Sequence, residues 1–227
     1  MSNEFDSPSP GEQTPASSPN QPPAKSALPT MIVVVVAILA AGLWITMRPK
    51  ASLTSATKNP AVGQPLMELA LEPLTGGTES LSLANVRGKV TLINYWGPWC
   101  GFCRDEFPHL LELWDKDRDN PDFAFVSVSS GQDPREDVTE LRKSTRQFLA
   151  ARGATFPTYV DLSGATRSMI TRLAGMQYFG YPTTVLLDRN GIIRGVWEGY
   201  EDGFDMQMDQ MVSQLLKAKP TATEVAK

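Results

Sequence analysis

Cys100 and Cys103 are the only cysteines in the chain, and they stand two residues apart in the run Trp96-Gly-Pro-Trp-Cys100-Gly-Phe-Cys103-Arg-Asp-Glu106-Phe-Pro108. Paired thiols at this spacing suit two kinds of chemistry, exchange with disulfides or capture of a soft metal. The flanking residues favour exchange. An apolar, β-branched run, Val90-Thr-Leu-Ile-Asn-Tyr-Trp96, predicts a strand over 90–96. Phe107, Leu110, Leu111 and Trp114 then fall at i, i+3, i+4 and i+7, which predicts a helix over 100–117. Cys100 therefore stands at a helix N-terminus, where unpaired N–H groups and the positive end of the macrodipole favour a thiolate. Such placement can lower a cysteine pKa from about 8.5 to roughly 3.5–7.5. A thiol three residues later can attack a mixed disulfide on the first and release the substrate. Cys100 is thus the candidate nucleophile and Cys103 the resolving thiol.

Glu106 follows Cys103 by three residues, on a neighbouring face of the same helix, and is the candidate proton relay. The plain alternative is a solvated helix carboxylate. His109, the one histidine, reads as a bystander on the helix surface.

The combination of Asn94-Tyr-Trp96, Trp99-Cys-x-x-Cys103, Glu106-x-Pro108 and Gly180-Tyr-Pro182-Thr-Thr184 makes about residues 60–218 resemble the thioredoxin superfamily. More narrowly, it resembles the TlpA/ResA-like thiol–disulfide oxidoreductases. The resemblance implies an α/β thioredoxin fold, a central mixed sheet flanked by helices. It implies that Pro182 is a cis-proline packed against the cysteines, that Tyr181 offers a backbone edge to substrate, and that Trp99 shields the thiols. Asn94 stands where thioredoxin proper has a buried acid, six residues before the first cysteine, which leaves Glu106 as the better carboxylate. The function implied is a membrane-anchored protein-disulfide reductase, acting on protein disulfides or thiols and recharged by a membrane or soluble electron donor. No cofactor and no metal are expected. The alternatives are a disulfide oxidase or isomerase, a non-catalytic copper-binding thiol protein, and a peroxidase of the peroxiredoxin type. The last normally has Thr three residues before its reactive cysteine, where this chain has Gly97. Members devoted to cytochrome c maturation often carry an acid just after the cis-proline, where Thr183-Thr184 stand here.

Composition narrows the field. The 227 residues are 41% hydrophobic, enough for an ordinary core, and a net charge of −4 supplies no basic footprint for nucleic acid. One histidine and two cysteines cannot furnish a four-ligand Cys/His zinc site.

Five segments are expected. Residues 1–26, rich in Ser, Pro, Gln and Asn, read as a disordered tail. The uncharged run within 27–47 is long enough to cross a hydrocarbon core of about 30 Å and predicts one transmembrane helix set in the lipid bilayer. A signal peptide cleaved near Ala56 is the alternative. Residues 48–62 read as a linker, 63–218 as the thioredoxin-like domain and 219–227 as a flexible tail. Arg48, Lys50 and Lys58 outweigh Lys25 across the apolar run, which taken alone puts the domain in the cytoplasm. The resemblance implies the opposite, an extracytoplasmic (periplasmic) domain on the cell membrane, and this is the expectation adopted.

Within the domain, strands are expected over 65–71, 90–96, 123–128, 156–160, 183–187 and 192–197, the last two joined by an Asn190-Gly191 turn. Helices are expected over 100–117, 136–152, from 163 or 164 to 175, and over 204–216, with Met206, Met211 and Leu215 of the last facing the sheet. The strand at 156–160 and its helix correspond to the insertion that TlpA/ResA-like members carry.

Overall fold

The computed structural model describes residues 33, 34, 36–39, 54–133 and 136–218. The 27–47 run lies mostly outside these; its described residues, Val33, Val34 and 36–39, are helical and exposed. Among the described residues no helix is long and apolar enough to cross a membrane. The expected tails at 1–26 and 219–227 lie outside the described residues.

The strands are β1 (Ala70–Thr75), β2 (Leu81–Ser82), β3 (Val90–Trp96), β4 (Phe123–Ser129), β5 (Thr158–Val160), β6 (Thr183–Leu187) and β7 (Ile193–Glu198). They form one sheet in the order β2-β1-β5-β4-β3-β6-β7. β3 runs parallel to β4 and β4 to β5, whereas β1, β6 and β7 join antiparallel. The helices are α1 (Thr54–Thr57), α2 (Leu83–Val86), α3 (Gly101–Asp117), α4 (Val138–Ala150), α5 (Ala165–Ala174) and α6 (Phe204–Lys217). The expected mixed sheet is therefore present, with β3 in its interior between β4 and β6.

β3 is buried along its whole length, so its alternating side chains feed both layers. Ile93 and Tyr95 pack with Ile170 and Ala174 of α5 on one face. Val90 and Leu92 pack on the other with Leu110 and Leu113 of α3 and Met208 and Val212 of α6. Trp96, Phe107, Phe148 and Phe156 continue that second layer toward the cysteines and bring in α4. Burying each such side chain contributes about 1.5–3 kcal/mol, so β3 and the start of α3 are anchored on both sides.

Several expectations shift. The first strand is Ala70–Thr75 rather than 65–71. Leu66 and Leu69 are buried at a spacing of three, not two, and Pro65 makes only an isolated bridge to Ile192. β1 accepts Pro73 because the pairing with β5 shifts register between Pro73 and Thr75. In α6, Met206 is exposed and Met208 takes the inward position. Phe204, Met208, Met211 and Val212 recur at i, i+4, i+7 and i+8, and Met206 falls off that face. Residues 54–62, expected as the end of the linker, pack on the sheet: Ala56 and Ala61 are buried, and Asn59 donates to Glu198 at 3.0 Å. α4 starts at Val138 because Asp137 caps it, accepting from Thr139 N. The β6–β7 turn forms as expected, with Gly191 at φ +76°.

Candidate active site

Strand β3 ends at Trp96, and Gly97 and Pro98 carry the chain to Cys100, the N-cap of α3. Cys100 has extended backbone angles (φ −79°, ψ 123°), and its Sγ accepts the Cys103 N–H at 3.1 Å. That bond satisfies one of the helix's unpaired donors with sulfur. The two cysteines form a disulfide with Cα atoms 5.2 Å apart. Both are nearly buried, Cys100 at 5% and Cys103 at 1% relative exposure, so Cys100 is the one nearer solvent.

The Tyr181–Pro182 peptide is cis, as the resemblance implied, and the Tyr181 carbonyl oxygen lies 3.6 Å from Cys100 Sγ. Thr183 Oγ1 donating to Gly180 O (2.9 Å) and Gly199 N donating to Pro182 O (2.8 Å) hold this loop. Trp99 leans its ring edge-on to Tyr181, with centroids 5.5 Å apart, and its Nε1 donates to Ser130 O at 2.9 Å. Gly97 makes room for this: a Cβ there would strike the Trp99 ring and lie 2.8 Å from Ser130 O. Trp96 lies beneath the pair, its Nε1 donating to Ser127 Oγ at 2.8 Å and its rings against Phe107 and Phe148. Phe102, between the cysteines, is exposed.

Glu106 is not a solvated helix carboxylate. It is 2% exposed and shares the buried stripe of α3 with Cys103, Phe107 and Leu110. Asn94 Nδ2 donates to Oε2 at 2.9 Å and Thr184 Oγ1 to Oε1 at 3.5 Å. Burial pushes its pKa from 4.5 up to about 7, and the bonds from Asn94 and Thr184 hold it from rising further. A carboxyl of that pKa exchanges a proton readily near neutrality. His109 sits on the outer side of α3, stacked on Tyr200 and paired with Asp205 at 3.6 Å, away from the cysteines' packing.

The structure thus gathers Cys100, Cys103, Trp99, Tyr181 and Pro182 in one place, with Glu106 one turn along α3. Sequence reasoning left Thr184 unassigned. Asn94 and Thr184 are directly paired across β3 and β6, so both side chains point to the layer occupied by α3. The period-2 alternation of β3, which places Asn94 with Leu92 and Trp96, is the signal that finds Asn94. Among the described residues no group of three or more His, Cys, Asp or Glu side chains is placed to hold a metal ion.

The Redoxin family profile matches residues 61–212. The chain belongs to the Redoxin family. Within the thioredoxin superfamily it is a TlpA/ResA-like thiol–disulfide oxidoreductase. It is similar to the thioredoxin-like protein YneN of Bacillus subtilis (strain 168), 30% identical over 137 residues, which cover 60% of this chain and 71% of the relative. It is similar to the thiol-disulfide oxidoreductase ResA of Geobacillus kaustophilus, 29% identical over 61% of this chain and 70% of that protein. The thiol:disulfide interchange protein DsbE of Pseudomonas aeruginosa is 27% identical over 74% and 79% of the two chains. For the fold alone, a crystal structure of a thioredoxin-family thiol:disulfide interchange protein from Chlorobium tepidum superposes with a TM-score of 0.53 at 20% identity, covering 67% of this chain and 95% of that one.

Proposed function

We propose that this oxidoreductase is a protein-disulfide reductase, anchored in the cell membrane by residues 27–47 with the thioredoxin-like domain on the extracytoplasmic side. The observation that carries the exchange chemistry in this reading is the N-cap geometry, in which the Cys103 amide donates to Cys100 Sγ at 3.1 Å. In the reduced protein the Cys100 thiolate attacks one sulfur of a substrate disulfide. The new bond is Cys100 Sγ to substrate sulfur, and the other substrate sulfur leaves as a thiolate. Cys103 then loses its proton and attacks Cys100 Sγ, which releases the second substrate thiolate and leaves the Cys100–Cys103 disulfide. Glu106 serves as the base that takes the Cys103 proton, three residues away on α3. Trp99, Tyr181 and Pro182 border the disulfide and receive the substrate backbone. A separate thiol or membrane electron donor returns two electrons for the next cycle.

Charge around the pair supports the reductase direction. Strong oxidants of this type stabilise their reduced, thiolate form. Here Phe102 brings no charge between the cysteines, and Glu106, once ionised, opposes a second buried anion beside it. Ionised Glu106 raises the energy of the reduced pair and favours donation of electrons, and Phe102 supplies nothing to offset it. The relatives named ResA and DsbE support the thiol–disulfide exchange on which this reading builds.

The test is equilibration of the full-length chain, in detergent, against glutathione and dithiothreitol. A potential near about −270 mV is expected, whereas one near about −120 mV makes the protein an oxidase. Labelling reduced Cys100 in intact cells with a membrane-impermeant thiol reagent tests the location; labelling only after lysis puts the domain inside.

A further inference from the structure

Tyr181 is held from a second side, by a part of the fold remote from the cysteines. Asp161, just after β5, has a fully buried side chain; its Oδ2 accepts the Arg167 N–H at 2.9 Å and lies 3.5 Å from Arg167 Nε. Arg167, in the first turn of α5, donates from one terminal nitrogen to Asp161 O (3.1 Å) and from the other to the Tyr181 hydroxyl (3.0 Å). The guanidinium fork is therefore oriented by a buried carboxylate and a carbonyl, and its remaining arm aims at Tyr181. Tyr181 carries the carbonyl 3.6 Å from Cys100 Sγ, and its ring is wedged between Trp99 and Phe179. Arg167 and Tyr181 also line one wall of an open cleft of about 580 Å³ that reaches Ser130, the residue whose carbonyl receives the Trp99 indole.

We infer that Arg167, oriented by Asp161, is a positioning residue for polypeptide substrates. It fixes the phenol of Tyr181, and through it the backbone edge at Tyr181 and the lean of Trp99, beside the disulfide. Arg167 touches neither sulfur. Its effect falls on substrates that pair along the Tyr181 edge, and not on small disulfides that meet only the sulfurs. A flexible phenol would have to be immobilised on binding, and pre-ordering it removes that cost from each encounter. The inference rests on Cys100 being the nucleophile and Tyr181 the substrate edge, as proposed above.

The test uses full-length Cys103→Ser chain in detergent, so that the Cys100 mixed disulfide accumulates. Two reagents are compared: Ellman's reagent, and an extended octapeptide whose single cysteine carries the same thionitrobenzoate leaving group. The readout is the ratio of the peptide rate to the small-reagent rate. Arg167→Ala and Tyr181→Phe are each expected to lower that ratio about tenfold, and together to lower it by the same tenfold, because they break one interaction. Arg167→Lys, which keeps a donor, is expected to recover part of the loss. An unchanged ratio in Arg167→Ala overturns the inference, as does a ratio that falls a hundredfold in the double variant. A Cys100 inert to both reagents overturns the redox reading itself, and this inference with it.

Discussion

Replacing Glu106 with Gln isolates the cost of burying a carboxylate beside the redox pair. In the unfolded chain this group ionises near 4.5, and in the fold near about 7. Between those values the folded state holds the extra proton, so stability falls as pH rises through the window and is level on either side of it. The gap between 4.5 and about 7 corresponds to about 3 kcal/mol at about 1.36 kcal/mol per pH unit. Glu106→Gln keeps the shape and an acceptor for Asn94 Nδ2, which donates at 2.9 Å, but has nothing to ionise. Wild type and variant should therefore differ little at pH 4.5, and the variant should gain up to about 3 kcal/mol on wild type by pH 8. Urea unfolding of the oxidised full-length chain at half-unit steps from pH 4.5 to 8.5 measures this, with equal m-values confirming a common unfolded state. A difference in unfolding free energy that stays constant across the range would refute the claim that Glu106 is a desolvated carboxyl.

Other outcomes follow from single contacts. Asn94→Leu removes a donor that holds the Glu106 pKa down, so the Glu106 titration midpoint, read by carboxyl ¹³C shifts, should move above about 7. Gly97→Ala should destabilise by about 1–3 kcal/mol and change tryptophan fluorescence, because the added methyl displaces the Trp99 indole from Ser130 O. Arg189, buried in the β6–β7 turn, donates to the carbonyls of Leu215, Leu216 and Ala218 at the end of α6. Arg189→Ala should cost about 2 kcal/mol, with faster amide exchange confined to the last turn of α6.

Much of the site was legible because its parts are local or periodic. The strand 90–96, the Cys100 N-cap and the stripe through Phe107 and Leu110 all follow from spacing within about twenty residues. Pro182 was placed by resemblance alone, since nothing in a Tyr-Pro dipeptide specifies a cis bond next to a cysteine 82 positions away. Glu106 was ambiguous because a residue three past Cys103 lies near the edge of the helical stripe. Its burial is decided by Asn94 and Thr184 on two strands, 12 and 78 residues away. The Arg167–Tyr181 contact depends on how β5 and α5 set against the cis-proline loop, a tertiary fact without a sequence period. The shift of the first strand has the same cause: β1 is fixed by its register with β5, and Leu66 and Leu69 found burial without a ladder.

The central claim is that Cys100 attacks and Cys103 resolves. Full-length chains carrying Cys100→Ser or Cys103→Ser, reduced and then mixed with insulin, test it by mass spectrometry under non-reducing conditions. The account predicts an insulin adduct on Cys100 in the Cys103→Ser chain, no adduct in the Cys100→Ser chain, and turnover in neither. An adduct that accumulates on Cys103 in the Cys100→Ser chain, with Cys100 unmodified in the other, would contradict it.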